Sequence, residues 1–172
     1  MKVYPKMSYN TSESDFTTPQ SLFEKLESKF GKFTLDVCAS KENTKCKTFY
    51  TEKDNCLEKS WDGHVWCNPP YAVKVGKRIK GIVDVFIKKG LQEIRNNTKC
   101  EGICFLIPSK TDVKYFHDLI FSNKVEIVFI KGRPNFSGEH SCSKASGCRT
   151  PICAVYFSPH STSLCCSGMD YK

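Results

Sequence analysis

Residues 102–107 read G-I-C-F-L-I, a run in which no position is charged or strongly polar. Strands of parallel sheets are covered by helices on both faces, so they are apolar at every position. A strand with one solvated face would alternate between apolar and polar residues instead. The run therefore predicts a central strand of a parallel sheet, buried on both sides.

The segments around this run alternate between helix and strand patterns. We expect helices over residues 19–30, 75–95 and 112–121, the first opened by a Thr cap with Pro19 in its first turn and ended by Gly31. Further strands are predicted over residues 33–38, 48–51, 64–67, 125–130 and 151–157, the last two as an antiparallel pair joined by the polar loop 131–150. This order predicts an α/β three-layer sandwich with a mostly parallel sheet.

The length of 172 residues fits one domain, which we expect over residues 16–157, between a flexible arm (1–15) and a C-terminal tail (158–172). The chain is 40% hydrophobic and 26% charged, which excludes a disordered or fibrous protein. No apolar run approaches the ~20 residues of a membrane span. The amino terminus lacks the apolar core of a signal peptide, so we expect an intracellular location, in the cytoplasm or in a nucleus.

Basic residues outnumber acidic ones by 26 to 18, which gives a net charge of +8 and favours a polyanionic partner. Lys88 and Lys89 are expected on the solvated face of the long helix. The cations that could contact a nucleic acid lie elsewhere, at Lys74, Lys77, Arg78, Lys80, Lys131 and Arg133.

The eleven cysteines predict reduced thiols and no disulfide framework, because their number is odd and no secretory signal precedes them. Several lie within apolar runs, where a thiol acts as a small hydrophobe. A zinc site is the alternative, but the spacings lack the close C-x2–4-C pairs of structural zinc sites. We therefore expect no metal; the residues of the alternative site are His140, Cys142, Cys148, Cys153, Cys165 and Cys166.

Two predicted strands end in residues suited to a ligand, which in open parallel sheets binds beyond the carboxyl ends of the strands. In T-L-D-V-C-A-S, residues 34–40, Asp36 lies within an apolar strand, and small residues follow it. The carboxylate could accept hydrogen bonds from a ligand's amine or hydroxyl groups. The alternative is an aspartate that caps the next turn of the backbone.

The second such strand, residues 64–67, runs directly into Asn68-Pro69-Pro70-Tyr71. Prolines have no N–H, so this turn is stiff and presents carbonyl acceptors. An amide oxygen and a proline carbonyl could hold both hydrogens of a planar amine, while the tyrosine ring stacks on its plane. The alternative is a Pro-rich turn with an asparagine cap and a core tyrosine.

N-P-P-Y resembles the [DNS]-P-P-[YFW] motif of amino-group methyltransferases that use S-adenosylmethionine. A wider series resembles the phage-type DNA N-6-adenine methyltransferase (Dam) family over about residues 16–157. It comprises T-T-P-Q-S-L-F, L-D-V-C-A-S, F-Y-T-E-K-D-N-C-L, Trp61, W-C-N-P-P-Y and G-R-P-N-F. The turn after the first strand, C-A-S-K-E-N, lacks the Gly-rich sequence of many methyltransferases, as it does in the phage family.

This resemblance implies a Rossmann-like methyltransferase fold, S-adenosylmethionine as cofactor and double-stranded DNA as partner, with the chain a monomer or weak dimer. Asn68, Pro69, Pro70 and Tyr71 would hold a flipped-out adenine and promote methylation of its 6-amino group. Residues implied to bind the cofactor are Thr18, Pro19, Asp36, Cys38, Ala39 and Asp54. Residues implied to contact DNA are Lys77, Arg78, Arg133 and Phe136.

Three other functions fit some of these features. The same motif could serve methylation of an RNA adenine or of a protein glutamine, although 172 residues leave little room for a substrate-recruiting domain. A non-enzymatic nucleic-acid-binding module would explain the charge but not N-P-P-Y at a strand end.

Overall fold

A computed structural model describes residues 17–136 and 150–170. A seven-stranded sheet with the order β2-β1-β3-β6-β8-β7-β9 forms its centre, and β4 and β5 form a separate two-stranded sheet. The strands are β1 (Leu35–Asp36), β2 (Thr48–Phe49), β3 (Gly63–Cys67), β4 (Ala72–Val75), β5 (Arg78–Gly81), β6 (Cys100–Pro108), β7 (Glu126–Lys131), β8 (Ile152–Phe157) and β9 (Cys165–Asp170).

The expected mostly parallel sheet is confirmed. β1 pairs in parallel with both β2 and β3, β3 pairs in parallel with β6, and β7 pairs in parallel with β9. β8 runs antiparallel to both of its neighbours, β6 and β7. The carboxyl ends of β1, β3, β6 and β7 therefore lie along one edge of the sheet.

The central strand β6 is buried on both faces, as its unbroken apolar sequence predicts. Ile103 and Phe105 face one core cluster, together with residues of helix α2 (Val83–Asn96). Cys104 and Leu106 face a second cluster under helix α1 (Gln20–Phe30). Helices thus cover both sides of the sheet, which confirms the three-layer α/β architecture.

Helix α1 begins one residue later than a threonine cap requires. Pro19 occupies the cap position, and its carbonyl accepts hydrogen bonds from the backbone N–H groups of Leu22 and Phe23 at 3.1 Å. The expected threonine cap is wrong, since no side chain caps this helix. The predicted end is confirmed at Gly31, whose φ of 99° is in a region that favours glycine.

The predicted long helix over residues 75–95 is wrong in its first part. Residues 72–81 form the β4–β5 hairpin, and α2 begins only at Val83. Apolar residues at 73, 75 and 79 alternate as in strands, and the turn between the strands contains Gly76 with a φ of 61°. This alternation is the pattern that decides the structure of residues 72–81, and the helical pattern applies only from Val83 onward.

Two other segments differ from expectation. The segment predicted as a tail contains β9, whose first residue, Cys165, donates its N–H to the carbonyl of Val125 at 2.9 Å. The predicted helix over residues 112–121 is a π-helical turn, Phe116–Phe121.

The arm 1–15 and most of the loop 131–150 lie outside the described residues. Within residues 17–136 and 150–170, no helix is long and apolar enough to cross a membrane.

Lys89 is buried, contrary to the expectation that it lies on a solvated face, whereas Lys88 is exposed and pairs with Asp84 at 2.8 Å. Lys89 forms an ion pair with Glu93, which is also buried. Glu93 accepts two further hydrogen bonds, from the backbone N–H of Trp61 at 3.2 Å and from Asn97 Nδ2 at 2.9 Å. This network joins α2 to the segment that enters β3.

Candidate active site

The site is built where β1 and β3 end side by side. Asp36 is in register with Trp66, and the next residue, Val37, donates its N–H to the carbonyl of Trp66 at 3.1 Å. Since the two strands are parallel, the polar residues that follow them emerge at the same edge of the sheet. The structure therefore brings the two segments singled out in the sequence next to each other.

Asn68 is half-buried, and its amide is held by a residue from the start of α1. Its Nδ2 donates to the Thr18 hydroxyl at 3.3 Å, and Thr18 itself is buried. Because the Asn68 amide nitrogen is hydrogen-bonded to Thr18, the amide oxygen points away from Thr18. The next residue, Pro69, is buried, and Pro70 is half-buried.

Tyr71 is half-buried and packs against the core cluster that α2 covers. Its carbonyl accepts a hydrogen bond from the N–H of Ile82 at 3.3 Å, on the far side of the β4–β5 hairpin. Tyr71 thus packs against the core, as the alternative interpretation expected, and remains partly exposed as a residue.

Asp36 is buried, and its carboxylate binds the backbone of the loop that follows β1. Oδ1 accepts the N–H of Cys38 at 3.2 Å, and Oδ2 accepts the N–H of Lys45 at 3.0 Å. Burial raises the pKa of this carboxyl to about 6, although these two N–H groups oppose the rise. Asp36 therefore shapes the loop, which is the capping role that the sequence left open beside ligand binding.

The loop after β1 presents small, half-buried side chains at Cys38, Ala39 and Ser40. Ala39 donates its N–H to the carbonyl of Tyr50 at 3.0 Å, and Tyr50 donates its own N–H to the carbonyl of Asp36 at 2.8 Å. The loop is thus fixed to the segment that follows β2, although it has no glycine.

Asp54 lies in a short 3-10 turn after β2 and is exposed. Its Oδ2 accepts the Thr51 hydroxyl at 2.7 Å and the Thr51 N–H at 2.8 Å. These bonds hold the pKa of the Asp54 carboxyl below its ordinary value. The structure thus gives Asp54 a local capping role.

Three cysteines cluster beneath the site, an arrangement that the sequence analysis missed. The Sγ atoms of Cys38 and Cys67 are 3.8 Å apart. Burial raises the pKa of the Cys67 thiol to about 11 and that of Cys38 well above its ordinary value. The pKa of the neighbouring Cys56 is also raised, first by its contact with Cys38 and then by burial. With their pKa values raised, these thiols stay protonated at neutral pH and pack together as small apolar side chains.

Lys77 and Arg78 are exposed on the β4–β5 hairpin, which follows Tyr71 directly. The sequence placed them in a helix, and the structure places them at the turn of a hairpin beside the same site. The alternation of residues 73–79 around Gly76 was the signal that could have revealed this.

Arg133 and Phe136 follow β7, at the edge of the sheet where β1 and β3 also end. Arg133 is exposed. Phe136 has only 7% of its surface exposed and packs in the cluster under α1. Its ring contributes to the core, which differs from the expectation that it contacts DNA.

The described cysteines, nine in number, are all free thiols. Across residues 17–136 and 150–170, no three His, Cys, Asp or Glu side chains are grouped so that they could hold a metal ion. Three residues of the alternative zinc site, His140, Cys142 and Cys148, lie outside the described residues.

Comparison with known proteins gives concordant matches. The family model described as DNA N-6-adenine-methyltransferase (Dam) matches residues 8–166. The chain is 32% identical over 118 residues to a DNA N-6-adenine-methyltransferase of Escherichia phage T1, a match that covers 67% of this chain and 44% of that protein. It is 36% identical over 61 residues to a protein of Escherichia coli (strain K12) named "Putative methyltransferase YfdM", a match that covers 31% of this chain and 67% of that protein. The chain thus spans less than half the length of the phage relative.

Proposed function

The chain belongs to the DNA N-6-adenine-methyltransferase (Dam) family, and from this premise we propose that it methylates the 6-amino group of adenine in DNA. The family implies a methyl donor and DNA as the substrate. We propose S-adenosylmethionine as the donor and a flipped-out adenine as the acceptor. The observation that carries this proposal is the position of Asn68-Pro69-Pro70-Tyr71 at the end of β3, beside the end of β1.

The residues at the end of β1 suit a cofactor of this kind. Cys38, Ala39 and Ser40 have small side chains and are half-buried, so a ligand can approach their backbone closely. Asp36 fixes the loop from beneath, and its carboxylate adds negative charge beside the site. When bound, S-adenosylmethionine supplies an electrophilic methyl group on a positively charged sulfur. Thr18 and Pro19 would lie near the methionine end of the cofactor. Asp54, which is exposed in the turn after β2, would contact its ribose or adenine end.

Asn68 and Pro69 would act on the adenine amino group. The lone pair of this group is delocalised into the ring, which makes the nitrogen a poor nucleophile. The amino group would donate one hydrogen bond to the Asn68 side-chain oxygen and one to the Pro69 carbonyl. These bonds would let the nitrogen rehybridise and direct its lone pair toward the methyl group of the donor. The same acceptors would stabilise the positive charge that develops on nitrogen.

Pro70 and Tyr71 would position the base. Pro70 keeps the turn rigid, because its ring fixes the backbone. The Tyr71 ring would offer a face on which a flipped base can stack, and flipping is required because the reacting atom cannot be reached within the duplex. Lys77, Arg78 and Arg133 would neutralise phosphates on either side.

The proposal is tested by incubating the chain with S-adenosylmethionine and unmethylated plasmid DNA, followed by mass spectrometry of the nucleosides. We expect N6-methyl-2′-deoxyadenosine in the DNA digest, and no N6-methyladenosine when RNA of the same sequence replaces the DNA. Asn68→Ala is the matched control that should remove the product. Absence of methylated adenine, with the wild-type chain shown by calorimetry to bind the cofactor, would overturn the substrate assignment.

A further inference from the structure

A short turn after β6 lies at the same edge of the sheet as the candidate site, and the proposed chemistry does not use it. Residues 109–112 read S-K-T-D and follow the last residue of β6 directly. β6 pairs in parallel with β3, so the carboxyl ends of these two strands are neighbours. In open α/β sheets, ligands bind outside the carboxyl ends of the strands. The turn is therefore placed to contact a ligand that residues 68–71 hold.

The turn extends beyond the end of β3. Cys67, the last residue of β3, is in register with Phe105, and β6 continues from there to Pro108. At about 3.3 Å per residue, β6 ends roughly 10 Å past the point where the segment 68–71 begins. The turn is therefore within reach of the backbone of a nucleotide whose base is held at that segment.

Two hydrogen bonds hold the start of the turn in place. Ser109 donates its N–H to the carbonyl of Pro151 at 2.9 Å. On the other side, the Tyr115 hydroxyl donates to the carbonyl of Pro108 at 3.3 Å. Burial raises the pKa of Tyr115 to about 12, so this hydroxyl stays protonated at neutral pH. The fold thus gives the turn a fixed position at the sheet edge.

The side chains of the turn offer one cation and two hydroxyl groups. Lys110 and Thr111 are exposed, and Ser109 is half-buried. In the part of the chain that the structure describes, Lys110 forms no ion pair, although Asp112 is close to it in sequence. The ammonium group is therefore available to an anion of another molecule.

The chemistry of these groups indicates a phosphate. A lysine binds phosphate as a point charge, and serine and threonine hydroxyls donate to phosphate oxygens. Such contacts fix the position of a nucleic acid without reading its sequence. The π-helical turn Phe116–Phe121, which follows shortly after, agrees with a functional role because such turns are rare and frequent at functional sites.

We propose that Lys110 binds the target strand of the DNA at a phosphate directly adjacent to the adenine held at residues 68–71. This inference rests on the proposed function and adds a DNA contact at the end of β6. A phosphate contact made from the same sheet edge that holds the base fixes the distance between the DNA backbone and Asn68. It thereby positions the amino group for reaction. Ser109 and Thr111 supply further donors to the same phosphate.

The first test is the salt dependence of binding. Neutralisation of one phosphate contributes about 0.9 to the magnitude of the slope of log K against log salt concentration. Fluorescence anisotropy of a fluorescein-labelled duplex at several salt concentrations gives this slope for the wild type, Lys110→Gln and the conservative variant Lys110→Arg. Lys114→Gln is the matched control, because Lys114 is also exposed but lies 3.8 Å from Asp118.

We expect Lys110→Gln to lower the magnitude of the slope by about 0.9, because one phosphate is no longer neutralised. Lys110→Arg and Lys114→Gln should keep the wild-type slope. All three variants should keep the wild-type melting temperature and affinity for S-adenosylmethionine, since the substituted side chains are exposed.

The second test locates the phosphate. A duplex with a site that the wild type methylates is prepared with one uncharged methylphosphonate linkage, either next to the target adenine or several nucleotides away. We expect the linkage next to the adenine to weaken wild-type binding about fivefold and to have no further effect on Lys110→Gln, which has already lost the contact. The distant linkage should affect the wild type and Lys110→Gln equally.

An unchanged slope for Lys110→Gln would overturn the proposal. Equal weakening of the wild type and Lys110→Gln by the linkage next to the adenine would also overturn it, because Lys110 would then not contact that phosphate. If the wild type methylates no DNA, the proposed function fails, and the slope of Lys110→Gln on the same duplexes still decides the phosphate contact. If methyl transfer is normal and the slope is unchanged, only the contact fails.

Discussion

Asn68 and Thr18, fifty residues apart in the chain, are joined by a hydrogen bond of 3.3 Å from the Asn68 Nδ2 atom to the Thr18 hydroxyl. Asn68 directly follows the last residue of β3, and Thr18 immediately precedes Pro19, the cap of helix α1. A buried hydroxyl that holds the amide nitrogen fixes the direction of the amide oxygen. The start of α1 thereby orients the side chain proposed to accept a hydrogen of the adenine amino group.

Thr18→Val should lower the rate of methyl transfer about tenfold or more while retaining the fold, because valine has the shape of threonine but no acceptor for Asn68. Thr18→Ser keeps the hydroxyl and should retain most of the rate. Single-turnover kinetics measure the rate, and calorimetry measures cofactor affinity. A loss confined to cofactor affinity would show that Thr18 acts on the cofactor and not through Asn68.

Asn68→Ala should reduce methyl transfer by about 10²–10³-fold and leave cofactor binding nearly unchanged, because the lost acceptor acts mainly in the transition state. The measurement compares single-turnover rates with the cofactor's Kd. A variant that keeps more than half of the wild-type rate would contradict the role assigned to this residue.

Asp36→Ala should weaken cofactor binding more than DNA binding, because the carboxylate is at the end of β1 and holds the loop of residues 38–40. Its removal leaves the N–H groups of Cys38 and Lys45 without this acceptor and lets the loop move. Calorimetry with S-adenosylmethionine and fluorescence anisotropy with DNA give the two affinities. Unchanged cofactor affinity with weakened DNA binding would reverse the assignment.

The titration of Asp36 predicts a pH dependence of stability. Burial raises its pKa from 3.8 to about 6, so between these values the folded state binds more protons than the unfolded state, and stability falls as pH rises. Relative to Asp36→Asn, the wild type should lose about 2 kcal/mol of unfolding free energy between pH 4 and 7. Urea unfolding at several pH values measures this difference.

The control for this titration is Asp54→Asn. Asp54 is exposed, and its pKa is lowered by its bonds to Thr51, so its contribution is present at neutral pH and is lost as the pH falls. The two variants should therefore show trends of opposite sign. A difference between wild type and Asp36→Asn that does not vary with pH would contradict the expected titration.

Lys89→Met should destabilise the protein by about 3–5 kcal/mol, because it leaves the buried Glu93 carboxylate without its cation. Burial tends to raise the pKa of Glu93, but bonds from Lys89, Asn97 and Trp61 outweigh it and hold the pKa below its ordinary value. Lys88→Met, in an exposed pair, is the matched control and should cost less than about 0.5 kcal/mol. Equal effects of both variants in urea unfolding would contradict the structural role of the buried pair.

Treatment with a chelator under reducing conditions should leave both the melting temperature and the activity unchanged. The proposed reaction draws on hydrogen-bond acceptors and stacking, and the cysteine spacings lack the close pairs of structural zinc sites. Calorimetry and metal analysis of the purified chain test this. Zinc at one atom per chain, with a loss of stability on its removal, would instead assign a metal site to residues 140–153.

The sequence alone determined the architecture and the two segments that meet at the candidate site. An unbroken apolar run at residues 102–107 requires helices on both sides of the strand, and the structure has them. The motif at residues 68–71 is local, so its position at a strand end follows from the sequence. Burial on both faces and strand-end turns are encoded by neighbouring residues, which is why they are visible without a structure.

How these parts combine depends on contacts between segments that are distant in the chain. The alternation at residues 73–79 is followed directly by a helical pattern, so the sequence allows either structure there. The hairpin is stabilised by packing of Val73 against the core and by the hydrogen bond from the Ile82 N–H to the Tyr71 carbonyl. Helical spacing places Glu93 one turn from Lys89, but the hydrogen bond from the Trp61 N–H to Glu93, which ties this pair to the segment entering β3, depends on the tertiary structure. The bond between Thr18 and Asn68 depends on how α1 docks against the sheet. The hairpin, the buried ion pair and the Thr18–Asn68 bond all need these distant contacts. Such contacts stabilise the protein only when the whole core is assembled, so no local stretch of sequence reveals them.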